Sequence, residues 1–171
     1  MGENKIGLVP KVIAPGAMGP KEYGLLLTDQ RSILVFHKKT NAVLGGAVGG
    51  VIGVLVADAL TKERTVDYMN TSPEELARDD KNIVIPHGSL KAVRMKRHLG
   101  GGYSLRMEYS TPEGKERKVS LTLMVPEELA EQKRAQGIKA KAVADDYAQK
   151  VQDALKRALP PGAQQYAEWM E

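Results

Sequence analysis

Hydrophobic and polar positions alternate most cleanly between residues 89 and 125. Val93 and Met95 are set against Arg94, Lys96 and His98. Tyr103, Leu105, Met107 and Tyr109 are set against Ser104, Arg106 and Glu108. Val119, Leu121, Leu123 and Val125 are set against Ser120, Thr122 and Met124. A period of two marks strands with one buried face. Gly100 to Gly102 and Pro112 to Gly114 supply the turns, so residues 89–125 are predicted to form a three-stranded antiparallel meander. Upstream, residues 6–14 read as an irregular edge strand limited by Pro10 and Pro15. Tyr23 to Leu27 and Ser32 to His37 are apolar on both faces and form a hairpin. Thr28 to Arg31 is its turn, in which Asp29 is expected to bond the backbone ahead of it.

Helical signals separate and close these strands. Ser72 is a natural N-cap, Pro73 suits the first helical position and Glu75 completes a capping box, so a short helix runs to Asp79–Asn82. Ile83 to Ile85 is a strand cut short by Pro86 to Gly88. Residues 127–136 are polar and weakly helical, and Gly137 interrupts them. From Lys139 to Leu159, Ala140, Val143, Ala144, Tyr147, Val151, Ala154, Leu155 and Ala158 recur at spacings of three and four, the stripe of an amphipathic helix. Pro160, Pro161 and Gly162 stop it, and a tail carries Tyr166 and the only Trp, Trp169. The order of strands, helical insert, strands and long helix is that of an α+β domain with one small, curled antiparallel sheet.

Two stretches carry a family resemblance. The run YGLLLTDQRSILVF over residues 23–36 resembles the L-T-x-x-R-hydrophobic hairpin of GRAM and bacterial PH-like domains. The run IPHGSLKAV over residues 85–93 is similar to their I-P-x-x-x-I-x-x-V strand, and a helix after the last strand closes both. The resemblance implies a PH-like, partly open antiparallel β-barrel with a C-terminal amphipathic helix, spanning residues 1–159, with residues 160–171 as a tail. A glycine-rich insert is not general to those domains, and their phosphoinositide-reading basic loop has no counterpart here.

That insert, AVLGGAVGGVIGVLVADAL over residues 42–60, is the most unusual segment. Gly45, Gly49, Gly53 and Ala57 recur every four residues, beside a second row of Gly46 and Gly50. On a helix these rows make a smooth face that another backbone can approach closely. Each glycine costs about 1 kcal/mol relative to alanine in a helix, so something must pack on the row. As a helix the segment would reach ~28 Å, near a bilayer core in thickness. Its mean hydropathy is roughly 2, and Lys38, Lys39, Lys62 and Arg64 flank it. It is therefore read either as packed against its own domain or a second copy, or as lying in a membrane. A single span is awkward, because the strands on both sides belong to one barrel. Phosphate-binding glycine loops are excluded by the missing Gly-x-x-x-x-Gly-Lys and Gly-x-Gly-x-x-Gly patterns.

Composition narrows the chemistry. The 171 residues are 42% hydrophobic and 27% charged, ordinary for a globular domain. No Cys is present, which excludes disulfides, thiolate metal sites, cysteine nucleophiles and S-lipidation. His37, His87 and His98 have no metal-ligand spacing, and neither a metal nor another cofactor is expected. The start has no basic and apolar leader, and Ile6 stands where myristoylation wants Ser or Thr, so a cytoplasmic protein is expected, with membrane association open. The net charge is +4, but residues 81–118 hold nine Lys/Arg against three Glu. This basic zone, with Arg94, Lys96 and His98 on one strand face, suits lipid headgroups or other anions, or serves only as a solvated face. Nucleic acid is disfavoured because Tyr103 and Tyr109 fall on the apolar face, away from any base. Asp79–Asp80 and Asp145–Asp146 are adjacent pairs that diverge on a helix, and Ser89 and Ser104 show no basic partner.

The sequence thus points to a non-catalytic PH/GRAM-like binding module that self-associates or contacts an anionic membrane through Gly45, Gly46, Gly49, Gly50, Gly53 and Ala57. Lys38, Lys39, Lys62, Arg64, Arg94, Lys96 and His98 are its candidate anion contacts. The alternative is a soluble homo-oligomeric structural protein with the glycine segment buried; an enzyme is the weakest reading. Self-association predicts a light-scattering mass above the 18.6 kDa of one chain at micromolar concentration. Gly49→Leu should return that mass to the single-chain value by forcing the packed backbones apart.

Overall fold

The computed structural model describes residues 2–39 and 66–171; the glycine row and Lys62 and Arg64 lie outside the described residues. The fold is α+β. Among the described residues, eight strands form one mostly antiparallel open sheet, in the order β4-β3-β2-β1-β7-β6-β5-β8. The strands are β1 (Lys5–Ala14), β2 (Lys21–Thr28), β3 (Arg31–Lys39), β4 (Ile83–Pro86), β5 (Leu90–Arg97), β6 (Tyr103–Ser110), β7 (Glu116–Leu123) and β8 (Ala167–Glu168). The helices are α1 (Pro73–Arg78), α2 (Glu127–Ala135), α3 (Ala140–Ala158) and α4 (Pro161–Gln164).

β1 is the hinge between the two halves of the sheet. Along its length it pairs with β2, from Lys5 opposite Thr28 to Ala14 opposite Lys21. At Val12 and Ile13 it also pairs with Leu123 and Thr122 of β7. The meander forms as the alternation predicts, with Val93, Met95, Tyr103, Leu105, Met107, Val119, Leu121 and Leu123 buried, but Tyr109 is only half-buried and β7 ends at Leu123, short of the half-buried Val125. They join Val12, Leu25, Leu27 and Leu34 from the other half, and Ala148, Val151, Leu155 and Ala158 from α3, in one core. A smaller core lies on the opposite face of β2 and β3, where Leu26, Ile33 and Val35 meet Leu76 of α1, with Val66 and Tyr68 against them.

Local chemistry sets the helix ends. The capping box forms: the Glu75 N–H donates to Ser72 Oγ at 3.2 Å, and the Ser72 N–H donates to Glu75 Oε2 at 3.0 Å. Residues 127–135 are fully helical although none of them is buried. Gly137, at φ 76°, ends this helix in a left-handed turn. The Ile138 N–H then reaches Lys133 O at 3.0 Å and the Gly137 N–H reaches Arg134 O at 2.9 Å, a pair that satisfies the last carbonyls. Among the described residues, no helix is long and apolar enough to cross a membrane.

Three local expectations are corrected. In the β2–β3 turn it is Thr28, not Asp29, that caps the backbone: its Oγ1 accepts from the N–H groups of Gln30 (3.2 Å) and Arg31 (2.9 Å). Asp29 turns instead to Asn4, accepting from its backbone N–H at 3.0 Å and its side-chain amide at 2.9 Å. Ala140 is exposed, Ala144, Tyr147 and Ala154 are half-buried, and the α3 stripe also buries Ala148 and Gln152. Gln152 is accepted there because its amide is doubly bonded to the tail: Nε2 donates to Met170 O at 3.2 Å, and Oε1 accepts from the Met170 N–H at 2.8 Å. That tail does not hang free. Ala167 and Glu168 pair in parallel with Val93 and Arg94.

His87 follows β4 in a single tight turn and is only 2% exposed, with Nε2 3.0 Å from Ser32 Oγ. Burial pushes its pKa down from 6.5 to about 4. The folded protein therefore holds His87 neutral while the unfolded chain still takes up the proton below its ordinary pKa. Stability from this group is complete above pH 6.5 and is lost progressively as the pH falls toward 4. Urea denaturation at pH 7.5 and 4.5 should show wild type losing about 2.5 kcal/mol more than His87→Gln, which keeps a partner for Ser32 but cannot be protonated. Equal losses in the two proteins would show that His87 accepts its proton in the folded state.

Candidate anion-binding face

The outer face of the meander collects the polar half of the alternation. Register puts Arg94 of β5 opposite Arg106 of β6, and Arg106 opposite Ser120 of β7. The next row is Lys96, Ser104 and Thr122. Together with His98 and Pro15 these residues line a groove of about 460 Å³. Like charges directly opposite on neighbouring strands repel. Here Glu108 relieves the Arg94–Arg106 pair, its Oε1 lying 3.3 Å from Arg94 Nη1 and 2.7 Å from Arg106 Nη2. Glu168 of β8 adds a second carboxylate, 3.1 Å from Arg94 Nε. Lys96 is exposed and makes no ion pair among the described residues. Arg106 Nε is buried without an acceptor among the described residues.

Arg94, Lys96 and His98, singled out by sequence, are thus brought into one groove. Arg106, Ser104, Ser120 and Thr122 join them; the same alternation carried across the strands, with the register added, is the signal that finds them. Ser104 does have a basic partner, since His98 Nε2 lies 2.9 Å from its Oγ. No carboxylate among the described residues hydrogen-bonds this histidine, so the orienting third group of a nucleophilic triad is missing. Arg97 leaves the groove for the other side of β5. It approaches Asp145 of α3 at 3.5 Å and lies over the Tyr103 ring at 6.0 Å. Burial and the hydrogen bond donated to Asp145 raise the Tyr103 pKa.

Lys38 and Lys39 lie elsewhere, at the end of β3. Lys38 is opposite Glu22 and Lys39 opposite Lys21. Lys21 is in turn opposite Ala14, next to the Ile13 that pairs with Thr122 of the groove. One end of the sheet therefore carries two rows, Lys39 and Lys21 level with Ala14, and Thr122, Ser104 and Lys96 level with Ile13, and because Ile13 and Ala14 are successive residues the rows project to opposite faces.

At the same end of the sheet is a polar cluster that no local sequence pattern marks. Glu22 is buried, and His37 links it to Tyr68: His37 Nδ1 is 3.4 Å from Glu22 Oε1, and Nε2 is 2.5 Å from Tyr68 Oη. Lys11 Nζ stands 3.6 Å from the other Glu22 oxygen. Burial works to raise the Glu22 pKa, but the His37 hydrogen bond and the charges of Lys11 and Lys38 outweigh it, and the net shift is downward. The cluster ties the end of β3 to Tyr68. Among the described residues, no three of His, Asp and Glu converge as metal ligands. Ser32 and His87 do meet, but both are buried away from any substrate.

No protein-family model matches the chain, and no curated protein matches it in sequence.

Gly24 is what lets Tyr68 reach His37. A Cβ at position 24 would stand 2.2 Å from Tyr68 Oη and 3.1 Å from His37 Nε2. Gly24→Ala should therefore cost about 1–3 kcal/mol in denaturant unfolding. In a Tyr68→Ala background the same change should cost much less, and a double-mutant cycle reads the difference. Additive losses would mean that Gly24 is required for some reason other than this contact.

Proposed function

We propose that the chain is a non-catalytic binding module of the PH/GRAM-like kind that contacts an anionic membrane surface. Residues 42–60 supply the apolar part of the contact, and the basic end of the sheet supplies the electrostatic part. The observation that carries the reading is that shared end: Lys96, Lys21 and Lys39 are brought to the same end of the sheet from which the chain leaves toward residues 42–60. The PH-like part is supported by seven antiparallel strands in the order β4-β3-β2-β1-β7-β6-β5, with α3 packed inside their curl. A fold of itself assigns no ligand, so the argument rests on the charge and not on the resemblance.

Co-sedimentation with phosphatidylserine vesicles at low salt tests it. Wild type should partition, and added salt should release it by screening. Each cation near an anionic surface is worth about 1 kcal/mol, so replacing Lys38, Lys39, Lys62 and Arg64 together with Gln should weaken partitioning by up to about a thousandfold. Neutral vesicles should keep only the apolar part. Wild type that stays in the supernatant at low salt would remove the membrane reading and leave the homo-oligomer with a buried glycine segment.

A further inference from the structure

We propose that the outer groove of β5, β6 and β7 binds a phosphate group. The inference deepens the reading above, since it rests on the same basic face, but it names a specific site and ligand chemistry. The groove is graded in charge. At one end Arg94 is engaged by Glu108 and Glu168, and Arg106 Nη2 by Glu108. At the other end Lys96 stands without a carboxylate among the described residues, beside the hydroxyls of Ser104 and Thr122. Arg106 Nε, in the row of Arg94, is a buried N–H donor with no acceptor among the described residues. The Arg106 side chain is 43% exposed, so its outer guanidinium nitrogens, rather than the enclosed Nε, are open to an oxyanion in the groove.

Geometry favours phosphate over carboxylate. The donors stand on three adjacent strands, about 4.8 Å apart from one strand to the next. They stand on one face of the sheet and outnumber the two oxygens of a carboxylate, whereas a phosphate has several oxygens to share among them. Ammonium, guanidinium and hydroxyl groups are the donors that form the strong charge-assisted bonds to phosphate. Among the described residues, no Phe, Tyr or Trp lines the groove. The groove, at about 460 Å³, has room for more than the bare ion. The phosphate therefore arrives either on a small soluble molecule or as the headgroup of a lipid.

The test uses the full chain. Amide NMR titration with inorganic phosphate, at constant ionic strength, should shift Lys96, Ser104, Arg106, Ser120 and Thr122 together. Lys96→Gln, an exposed change that spares the core, should weaken this binding about tenfold, the loss of one charge-assisted bond. Lys115→Gln, at the far β6–β7 turn, should leave it unchanged. Shifts scattered over the lysine-bearing surface, or equal losses in the two variants, would overturn the site. Vesicles then separate the sources. With a lipid headgroup, phosphatidic acid should capture wild type several-fold better than phosphatidylserine at matched surface charge, and Lys96→Gln should erase the preference. Phosphate binding in the groove without any vesicle partitioning supports a soluble phosphorylated ligand, and in that case the membrane reading falls while the site stands. Partitioning onto phosphatidylserine with no groove shifts has the opposite meaning: the membrane reading stands and the site falls.

Discussion

A sheet that curls has a concave side, and that side must be filled with apolar atoms. Here α3 fills it. Val151 and Leu155, with Ala148 and Ala158 beside them, meet Val12, Leu25 and Leu34 from one half of the sheet and Val93, Leu105 and Leu121 from the other. Each fully buried aliphatic side chain contributes about 1.5–3 kcal/mol relative to exposure, so this one helix face joins the halves far more strongly than the two β1–β7 residue pairs do. The small residues have their own role. At Gly7 of β1 a Cβ would already touch Ala154 at 3.4 Å, which shows how closely helix and strand approach.

Filling the concave side leaves the convex side to be settled separately in each half. On β2 and β3 it is apolar and is covered by α1 and the chain around Val66 and Tyr68. Toward the rim that covered surface becomes polar, and Glu22, His37 and Tyr68 satisfy one another there. On β5, β6 and β7 the convex side is charged and solvated. Two arginines face each other across β5 and β6 at a cost that Glu108 and Glu168 offset. The same sheet thus presents one face closed by packing and one held open by its charge.

What was legible in the sequence was what depends on neighbours in the chain. Alternation over residues 89–125 fixed which side of each strand is buried, because a one-residue slip would invert every side chain. The capping box at Ser72 and Glu75 and the three-four spacing in α3 are likewise written within a few residues of each other. What was not legible depends on partners far away. Nothing near Gly24 announces the hydroxyl of Tyr68, and nothing near His87 announces Ser32 or a depressed pKa. Gln152 reads as a polar interruption of the helix stripe until Met170 is placed against it. Glu22 reads as a surface carboxylate until Lys11 and His37 surround it. The groove was half legible: periodicity gave Arg94, Lys96 and His98, while only the pairing register could add Arg106, Ser104, Ser120 and Thr122.

These distant contacts form a chain of dependence that ends at the groove. α3 is fixed by the core, and its buried Gln152 holds the backbone of Met170 on both its N–H and its C=O. The tail so held runs beside β5, where the Val93 N–H donates to Tyr166 O at 3.1 Å and Glu168 falls opposite Arg94. β5 would otherwise be an open edge with unpaired backbone groups, a template for unwanted strand pairing. The two residues of β8 cover part of that edge and also deliver a carboxylate from 74 positions away to Arg94. Neutralising Arg94 removes positive potential from one end of the groove and leaves it concentrated at Lys96. The charge gradient across the outer face is therefore set by the seating of the tail as well as by the strands themselves, and that seating combines the buried Gln152 amide with the β8 pairing and the packing of Ala167, Trp169 and Met170 on the core.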